Sequence, residues 1–154
     1  MSCRERLDRF LREENVPFEP QQHRPAYTAQ EVAAAEHVSA REFAKVVMVG
    51  TDQGLTMAVL PANARVDAPK VAQAVGARDA WLAREHEFAG TFPDCEVGAM
   101  PAFGHLFGVP VVVDRALTTS EWIVTQAGNH EETVRLRYSD YERVEHPIVA
   151  DIRS

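Results

Sequence analysis

The chain lacks the features that mark membrane, secreted and nucleic-acid-coating proteins. No run of 18 apolar residues occurs among its 154 residues, so we expect no membrane-spanning helix. The N-terminus is charged from Arg4 onward and does not resemble a secretory signal, so we expect a cytoplasmic protein. Lys and Arg total 16 against 23 Asp and Glu, and a formal charge of −7 disfavours a general nucleic-acid-coating protein. This charge is still compatible with a protein that binds only one end of a nucleic acid through a few local cations.

The sequence also lacks the patterns of metal sites and of common catalytic classes. Its two cysteines, Cys3 and Cys95, fit neither a short disulfide pattern nor a zinc motif, which suits a reducing compartment. Cys95 is either a nucleophile or a structural thiol, and a lone small thiol favours the structural role. The six histidines lie far apart, so we expect no metal site. Neither a serine-hydrolase elbow, nor a Walker loop, nor a dinucleotide fingerprint is present.

What is present predicts a mixed α/β fold in one domain over residues 1–154. An amphipathic helix follows Ser2, and four further segments have helical patterns: "AQEVAAAEH", "APKVAQAVG", "REHEFAGTF" and "SDYERV", the last predicted to be capped. Six segments are typical of strands: "FAKVVMVG", "LTMAVLP", "DAWLA", "VPVVVD", "EWIVTQAG" and "ETVRLR". We therefore expect a curled, largely antiparallel mixed sheet or partial barrel flanked by short helices.

Lys45 is the first candidate for a functional side chain. It enters a strand that is otherwise wholly apolar, with Val46, Val47, Met48 and Val49 directly after it. One interpretation is a lysine whose amine extends from the strand end to water. The alternative is a cation at the rim of a pocket, available to a phosphate or to a substrate carbonyl.

Two glycine-containing segments provide further candidates. The stretch from Gly98 to Gly104, "GAMPAFG", contains no ionisable side chain, although surface loops are usually polar. The stretch "QAGNH", residues 126–130, is either a simple turn between two strands or part of a site. If the strand ends converge in space, Lys45, His130 and the loop from Gly98 surround one cavity.

The order of these motifs resembles the YbaK family of free-standing aminoacyl-tRNA deacylases, to which the editing domain of bacterial prolyl-tRNA synthetases also belongs. The resemblance covers roughly residues 16–152, and is carried by "HRPAYTAQEVA", "AKVVMVG", "MAVLPANARVDAPKVAQAVGA", "GAMPAFG", "GVPVVVD" and "AGNHEETVRL". Its most specific parts are Lys45 and the loop Gly98 to Pro101. It implies hydrolysis of a wrong amino acid from a transfer RNA, typically tRNA(Pro), by a mixed α/β domain without metal or organic cofactor.

The resemblance also implies roles for individual residues. Lys45 is the main functional side chain in this family, and the loop at Gly98 positions the aminoacyl ester. We assign catalytic roles to Lys45, Gly98 and His130, in which free amides of Gly98, Ala99 or Met100 stabilise an oxyanion. We assign substrate binding to residues of the same two segments: Ala99, Met100, Pro101, Phe103, Gly104, Gly128, Asn129 and Thr133.

The partner implied is the acceptor end of an aminoacyl-tRNA, with a synthetase as a further partner. Four cations are candidates for a basic rim facing the acceptor stem: Arg65, Lys70, Arg84 and Arg115. Asp114 is expected to cap the turn that follows it rather than to act in the site. Two other functions stay open from sequence, namely a non-catalytic tRNA-binding module associated with a synthetase and a hydrolase of another activated ester.

Overall fold

The computed structural model describes residues 1–154 and contains five α-helices and eight β-strands. The helices are α1 (Cys3–Glu13), α2 (Ala29–Ala35), α3 (Ala68–Val75), α4 (Glu85–Phe88) and α5 (Tyr138–Glu145). The strands are β1 (Phe18–Gln22), β2 (Ala44–Thr51), β3 (Gly54–Pro61), β4 (Ala80–Leu82), β5 (Val111–Asp114), β6 (Trp122–Gln126), β7 (Glu132–Arg137) and β8 (Ile148–Ala150). None of the helices is both long enough and apolar enough to cross a membrane.

The strands form two sheets rather than one. A three-stranded antiparallel sheet has the order β1-β7-β6, and a five-stranded mixed sheet has the order β4-β2-β3-β5-β8. In the larger sheet β2 is antiparallel to β3 and β4, whereas β5 is parallel to both β3 and β8. A parallel bridge between Phe43 and Val124 joins the two sheets. The predicted mixed α/β architecture is confirmed, and neither sheet closes into a barrel.

Short polar side chains begin three of the helices. Ser2 accepts a hydrogen bond from the amide of Glu5, Thr28 from that of Glu31, and Asp67 from that of Lys70. Each bond satisfies an amide that the first helical turn leaves without a partner. The predicted cap of α5 is wrong, because this helix follows β7 directly and its first amide, from Tyr138, donates to the carbonyl of Glu121.

The main core lies between the two sheets, α1 and α5. Strand β2 contributes Ala44 and Met48 to this core, whereas Val49 packs on the opposite face beneath α3. Both faces of β2 are therefore covered, as its apolar sequence predicts. The opposite face continues at the other end of the strand, where Phe43 packs against residues of α2. Lys45 lies on that face between Phe43 and Val47.

Cys3 and Cys95 form a disulfide across 92 residues of sequence. The expectation of separate thiols was wrong, because the fold lays the start of α1 on the segment that precedes Gly98. The amide of Cys3 also donates to the carbonyl of Asp94. Such a long-range contact leaves no spacing pattern in the sequence. A disulfide sulfur is no nucleophile of the kind considered for Cys95.

Candidate active site

Lys45 is held by backbone carbonyls at the end of the β2–β3 hairpin. Its ammonium donates to the carbonyl of Ala62 at 3.4 Å and to the carbonyl of Ala64. Burial, and then the neighbouring positive charge of Arg65, lower the pKa of Lys45. The side chain is half-buried. The amine is thus anchored at the protein surface with its direction fixed, instead of moving freely in solvent.

The Gly98 loop and the turn after β6 are tied together by backbone hydrogen bonds. The amide of Gly128 donates to the carbonyl of Ala99 at 2.9 Å, and the amide of Glu96 donates to the carbonyl of Gly128 at 2.8 Å. Gly98 is exposed and has a φ of 86°, a left-handed conformation that favours glycine. The structure therefore brings together the two segments that the sequence singled out separately.

His130 is held in place from two sides. Its Nδ1 lies 2.7 Å from Oε2 of Glu96, and its ring lies against the ring of Tyr27 with a centroid distance of 4.6 Å. The carbonyl of His130 accepts a hydrogen bond from the amide of Ala26. The side chain is 13% exposed, so it reaches the surface while its orientation is restrained. Sequence reasoning missed Glu96 and Tyr27, whose partners lie far away in the chain.

The set of free amides in the loop is smaller than the sequence suggested. The amide of Ala99 donates to the carbonyl of Glu96 at 3.0 Å and is therefore occupied. The amide of Gly98 faces the thioether of Met100 at 3.3 Å, and a thioether is a weak acceptor. The amide of Met100 has no hydrogen-bond partner. Of the three amides considered, those of Gly98 and Met100 have no oxygen acceptor and are left to meet a substrate oxygen.

Much of the loop is buried, which accounts for its lack of charge. Ala99, Met100, Ala102 and Phe103 are all core residues, and the ring of Phe103 packs edge-on against Tyr141. Pro101 is buried as well. The loop is therefore exposed at Gly98 and buried at the residues that follow it.

Several candidate residues have packing or turn roles that explain their identity. A Cβ on Gly104 would lie 2.5 Å from the carbonyl oxygen of Val109, and a Cβ on Gly128 would lie 2.6 Å from Sγ of Cys3. Asn129 accepts a hydrogen bond from the amide of Glu131, a turn that asparagine favours. These positions need their residue types whether or not a substrate binds.

Strand register places Lys45 on the same face as a row of polar residues. Lys45 on β2 comes two residues after Phe43, and Gln126 on β6 comes two residues after Val124, the residue that forms a parallel bridge with Phe43. Because side chains alternate along a strand, both project on the face that carries Phe43 and Val124. Gln126 pairs with Thr133 on β7, and the turn between these two residues carries His130. No hydrogen bond joins Lys45 to Gly98 or His130, so strand register alone relates Lys45 to the segment that contacts Gly98.

Of the four cations considered for a basic rim, two lie together. Arg65 and Lys70 line a cavity of about 590 Å³ that also contains Ala64, the residue whose carbonyl accepts from Lys45. Arg115 lines an adjoining cavity that shares Asp151 and Arg153 with the first, and Arg84 precedes α4. Asp114 has the predicted structural role, since its carboxylate accepts from the amide of Ala116.

Comparison with known families decides how this arrangement is classified. Residues 23–144 match the family model described as the aminoacyl-tRNA editing domain. The chain belongs to the aminoacyl-tRNA editing domain family. This match contains Lys45, the loop at Gly98 and His130. No curated protein matches the sequence of this editing domain.

Solved structures share the fold of this editing domain at low sequence identity. The hypothetical protein APE2540 is 20% identical with a TM-score of 0.86, over 97% of this chain and 99% of that one. A protein described as a candidate trans-editing enzyme for prolyl tRNA synthetase is 19% identical with a TM-score of 0.83, over 100% and 98%. A candidate signal transduction protein from Marinobacter aquaeolei VT8 is 18% identical with a TM-score of 0.72. The match covers 97% of this chain but only 30% of that one.

Proposed function

We propose that this editing domain hydrolyses the ester of mischarged aminoacyl-tRNA, with tRNA(Pro) carrying a small wrong amino acid such as alanine or cysteine as its substrate. The apposition of Gly98 and His130, within a chain that matches the editing family, is the observation that carries this proposal. A structural neighbour described as a candidate trans-editing enzyme for prolyl tRNA synthetase supports the choice of tRNA.

The proposed mechanism needs no covalent intermediate. An aminoacyl ester is already activated, so positioning a water molecule and stabilising the developing oxyanion are sufficient. The amides of Gly98 and Met100 are available to donate to that oxyanion. Gly98 lets the backbone approach the ester closely because it has no side chain.

Lys45 and His130 supply the side-chain chemistry in this proposal. The ammonium of Lys45 acts as a point charge that binds a phosphate or ribose oxygen of the terminal adenosine. The contact with Glu96 fixes the ring of His130, so that its Nε2 faces the space above Gly98. From there Nε2 orients a ribose hydroxyl or the attacking water. Ala99, Met100 and Pro101 support this space from below.

The proposed partner is the acceptor end of tRNA, with a synthetase as a second partner. The overall charge of −7 makes a broad tRNA interface unfavourable, so binding depends on local cations. Arg65 follows Ala64, whose carbonyl holds Lys45, and would contact a neighbouring phosphate, whereas the ammonium of Lys70 is paired with Asp151.

Deacylation of a substrate panel tests the proposal. The panel consists of tRNA(Pro) charged with alanine, cysteine, serine or proline, each measured against its spontaneous hydrolysis. We expect acceleration for at least one small wrong amino acid and none for proline. No acceleration of any ester, together with measurable tRNA binding, would instead favour a non-catalytic module. Equal acceleration of a minimal aminoacyl-adenosine would favour a hydrolase that does not use the tRNA body.

A further inference from the structure

The face that carries Lys45 also contains a buried carboxylate, Glu36, which follows the last residue of α2. Its side chain is 5% exposed. The hydrogen bond that it accepts comes from the hydroxyl of Thr133, at 2.8 Å. The nearest imidazole nitrogen, Nε2 of His23, lies 3.9 Å away and is beyond hydrogen-bond distance. Glu36 is therefore enclosed with a neutral partner and without a bonded cation.

Three polar atoms near Glu36 are buried and have no hydrogen-bond partner. They are Oε1 of Gln21, Nε2 of His23 and Nε2 of Gln126. Gln21, Thr133 and Gln126 are paired neighbours across β1, β7 and β6, so their side chains lie in one row. Buried polar atoms nearly always have a partner, so these three unpaired atoms mark a part of the fold that an additional polar group could complete.

Electrostatics indicates the chemistry of that ligand. A buried carboxylate is costly unless a cation or several hydrogen-bond donors compensate it. The ammonium of Lys45 is already held by the carbonyls of Ala62 and Ala64. A primary ammonium group carries a positive charge and three donors, and so fits the carboxylate of Glu36 together with the unpaired acceptor Oε1 of Gln21.

The cluster of polar residues around Glu36 adjoins the proposed active site; its members are Gln21, His23, Glu36, Gln126 and Thr133. The amide of His23 donates to the carbonyl of Glu131, and the amide of Ala26 donates to the carbonyl of His130. Tyr27, just before α2, lies against the ring of His130. The segment that carries His23 therefore runs from the buried carboxylate to the space above Gly98.

We propose that Glu36 binds the α-ammonium of the aminoacyl group, with Thr133 as the positioning residue that orients its carboxylate. This proposal rests on the proposed deacylase function and identifies the part of the substrate that the buried face recognises. An α-ammonium is present on every aminoacyl ester and absent from uncharged tRNA. Recognition of this group therefore selects charged tRNA for hydrolysis.

The first test needs no variant. Alanyl-tRNA(Pro) is compared with lactyl-tRNA(Pro), in which a hydroxyl replaces the ammonium, and each rate is divided by the spontaneous rate of the same ester. We expect the wild-type protein to accelerate hydrolysis of the alanyl ester at least about tenfold more than that of the lactyl ester. Equal acceleration of both would overturn the role of the ammonium.

The second test assigns the effect to Glu36. Glu36→Gln keeps the shape and removes the charge, and we expect it to lower alanyl-ester hydrolysis at least about tenfold while lactyl-ester hydrolysis changes less than about twofold. Glu31→Gln is the matched control, because Glu31 is an exposed carboxylate on the same helix and has no contact with the cluster. Equal losses on both esters would reduce Glu36 to a structural residue.

The outcomes separate this inference from the proposed function. Acceleration of the alanyl ester without the selective loss in Glu36→Gln contradicts the ammonium contact and leaves the deacylase function standing. If the wild-type protein accelerates neither of these two esters nor any ester of the tRNA(Pro) panel, the ammonium contact and the deacylase function are both contradicted. Thr133→Val provides a milder variant, and we expect its loss to be selective for the alanyl ester as well.

Discussion

Gly98 faces His130 across a gap that a methyl group would fill, since a Cβ built on Gly98 would lie 3.6 Å from Nε2 of His130, in ordinary van der Waals contact. The two residues belong to different connections, one before β5 and one between β6 and β7. Backbone hydrogen bonds between Gly128 and the neighbours of Gly98 hold these connections together. A glycine at this position keeps the space above Nε2 open for a substrate.

Gly98→Ala is expected to reduce deacylation through this contact. The added methyl group would occupy the space beside Nε2, and the φ of 86° would be strained by roughly 1–2 kcal/mol. Gly76→Ala is the matched control, because Gly76 has a φ of 74° and nothing within 4 Å of an added Cβ. We expect both variants to lose similar stability in denaturant titrations, but only Gly98→Ala to lose deacylation, by about tenfold or more. An equal loss of activity in both would remove the contact from the mechanism.

Reduction of the disulfide is expected to destabilise the protein. Cys3 and Cys95 are 92 residues apart, and crosslinks that close loops of this size contribute roughly 2–5 kcal/mol. Denaturant unfolding with and without a thiol reductant measures the effect. The double variant Cys3→Ser/Cys95→Ser should unfold at the reduced midpoint under both conditions. Coincident midpoints for the oxidised and reduced wild-type protein would show that the crosslink contributes nothing.

Glu145 is expected to make stability depend on pH. Its side chain is 5% exposed, and one oxygen accepts from the amide of His105 at 2.7 Å while the other has no partner. Burial raises the pKa of Glu145 from 4.5 to about 8. The folded protein therefore keeps a proton that the unfolded chain releases above about pH 4.5.

The sign of this effect follows from the raised pKa. The contribution of protonated Glu145 to the free energy of unfolding is complete below pH 4.5 and is lost as the pH rises through about 8. The slope of this loss is at most about 1.4 kcal/mol per pH unit. Glu145→Gln cannot ionise, so we expect a smaller loss of unfolding free energy between pH 5 and pH 8 in this variant. Parallel pH profiles for the two proteins would contradict the shift.

Local signals in the sequence predicted most of the secondary structure. The turn "TDQG" predicts the β2–β3 hairpin, and Asp67 and Gly76 predict both ends of α3. These signals act within a few residues, so they are visible without the fold. Strand β8 was missed because three residues, Ile148–Ala150, show no periodicity and form a strand only by pairing with β5.

The candidate site was predictable only where its residue types are unusual for their context. Lys45 is conspicuous in an apolar strand, and Gly98 in an uncharged loop. Glu36 is not conspicuous, because a glutamate after a short helix is typical of an exposed surface. Its burial arises from the packing of α2 against β6 and β7, which no local pattern encodes.

The most direct test of the account is the single-turnover deacylation rate of alanyl-tRNA(Pro) for the wild-type protein, Lys45→Ala and Lys70→Ala. The chain has no other lysines, and Lys70 is a matched control because it is exposed and pairs with Asp151. We expect Lys45→Ala to lose at least about tenfold in rate, or roughly 1.4 kcal/mol in the barrier, with its fold intact. Lys70→Ala should change the rate less than about threefold. A Lys45→Ala variant as active as the wild-type protein would contradict the central claim that this ammonium acts on the substrate.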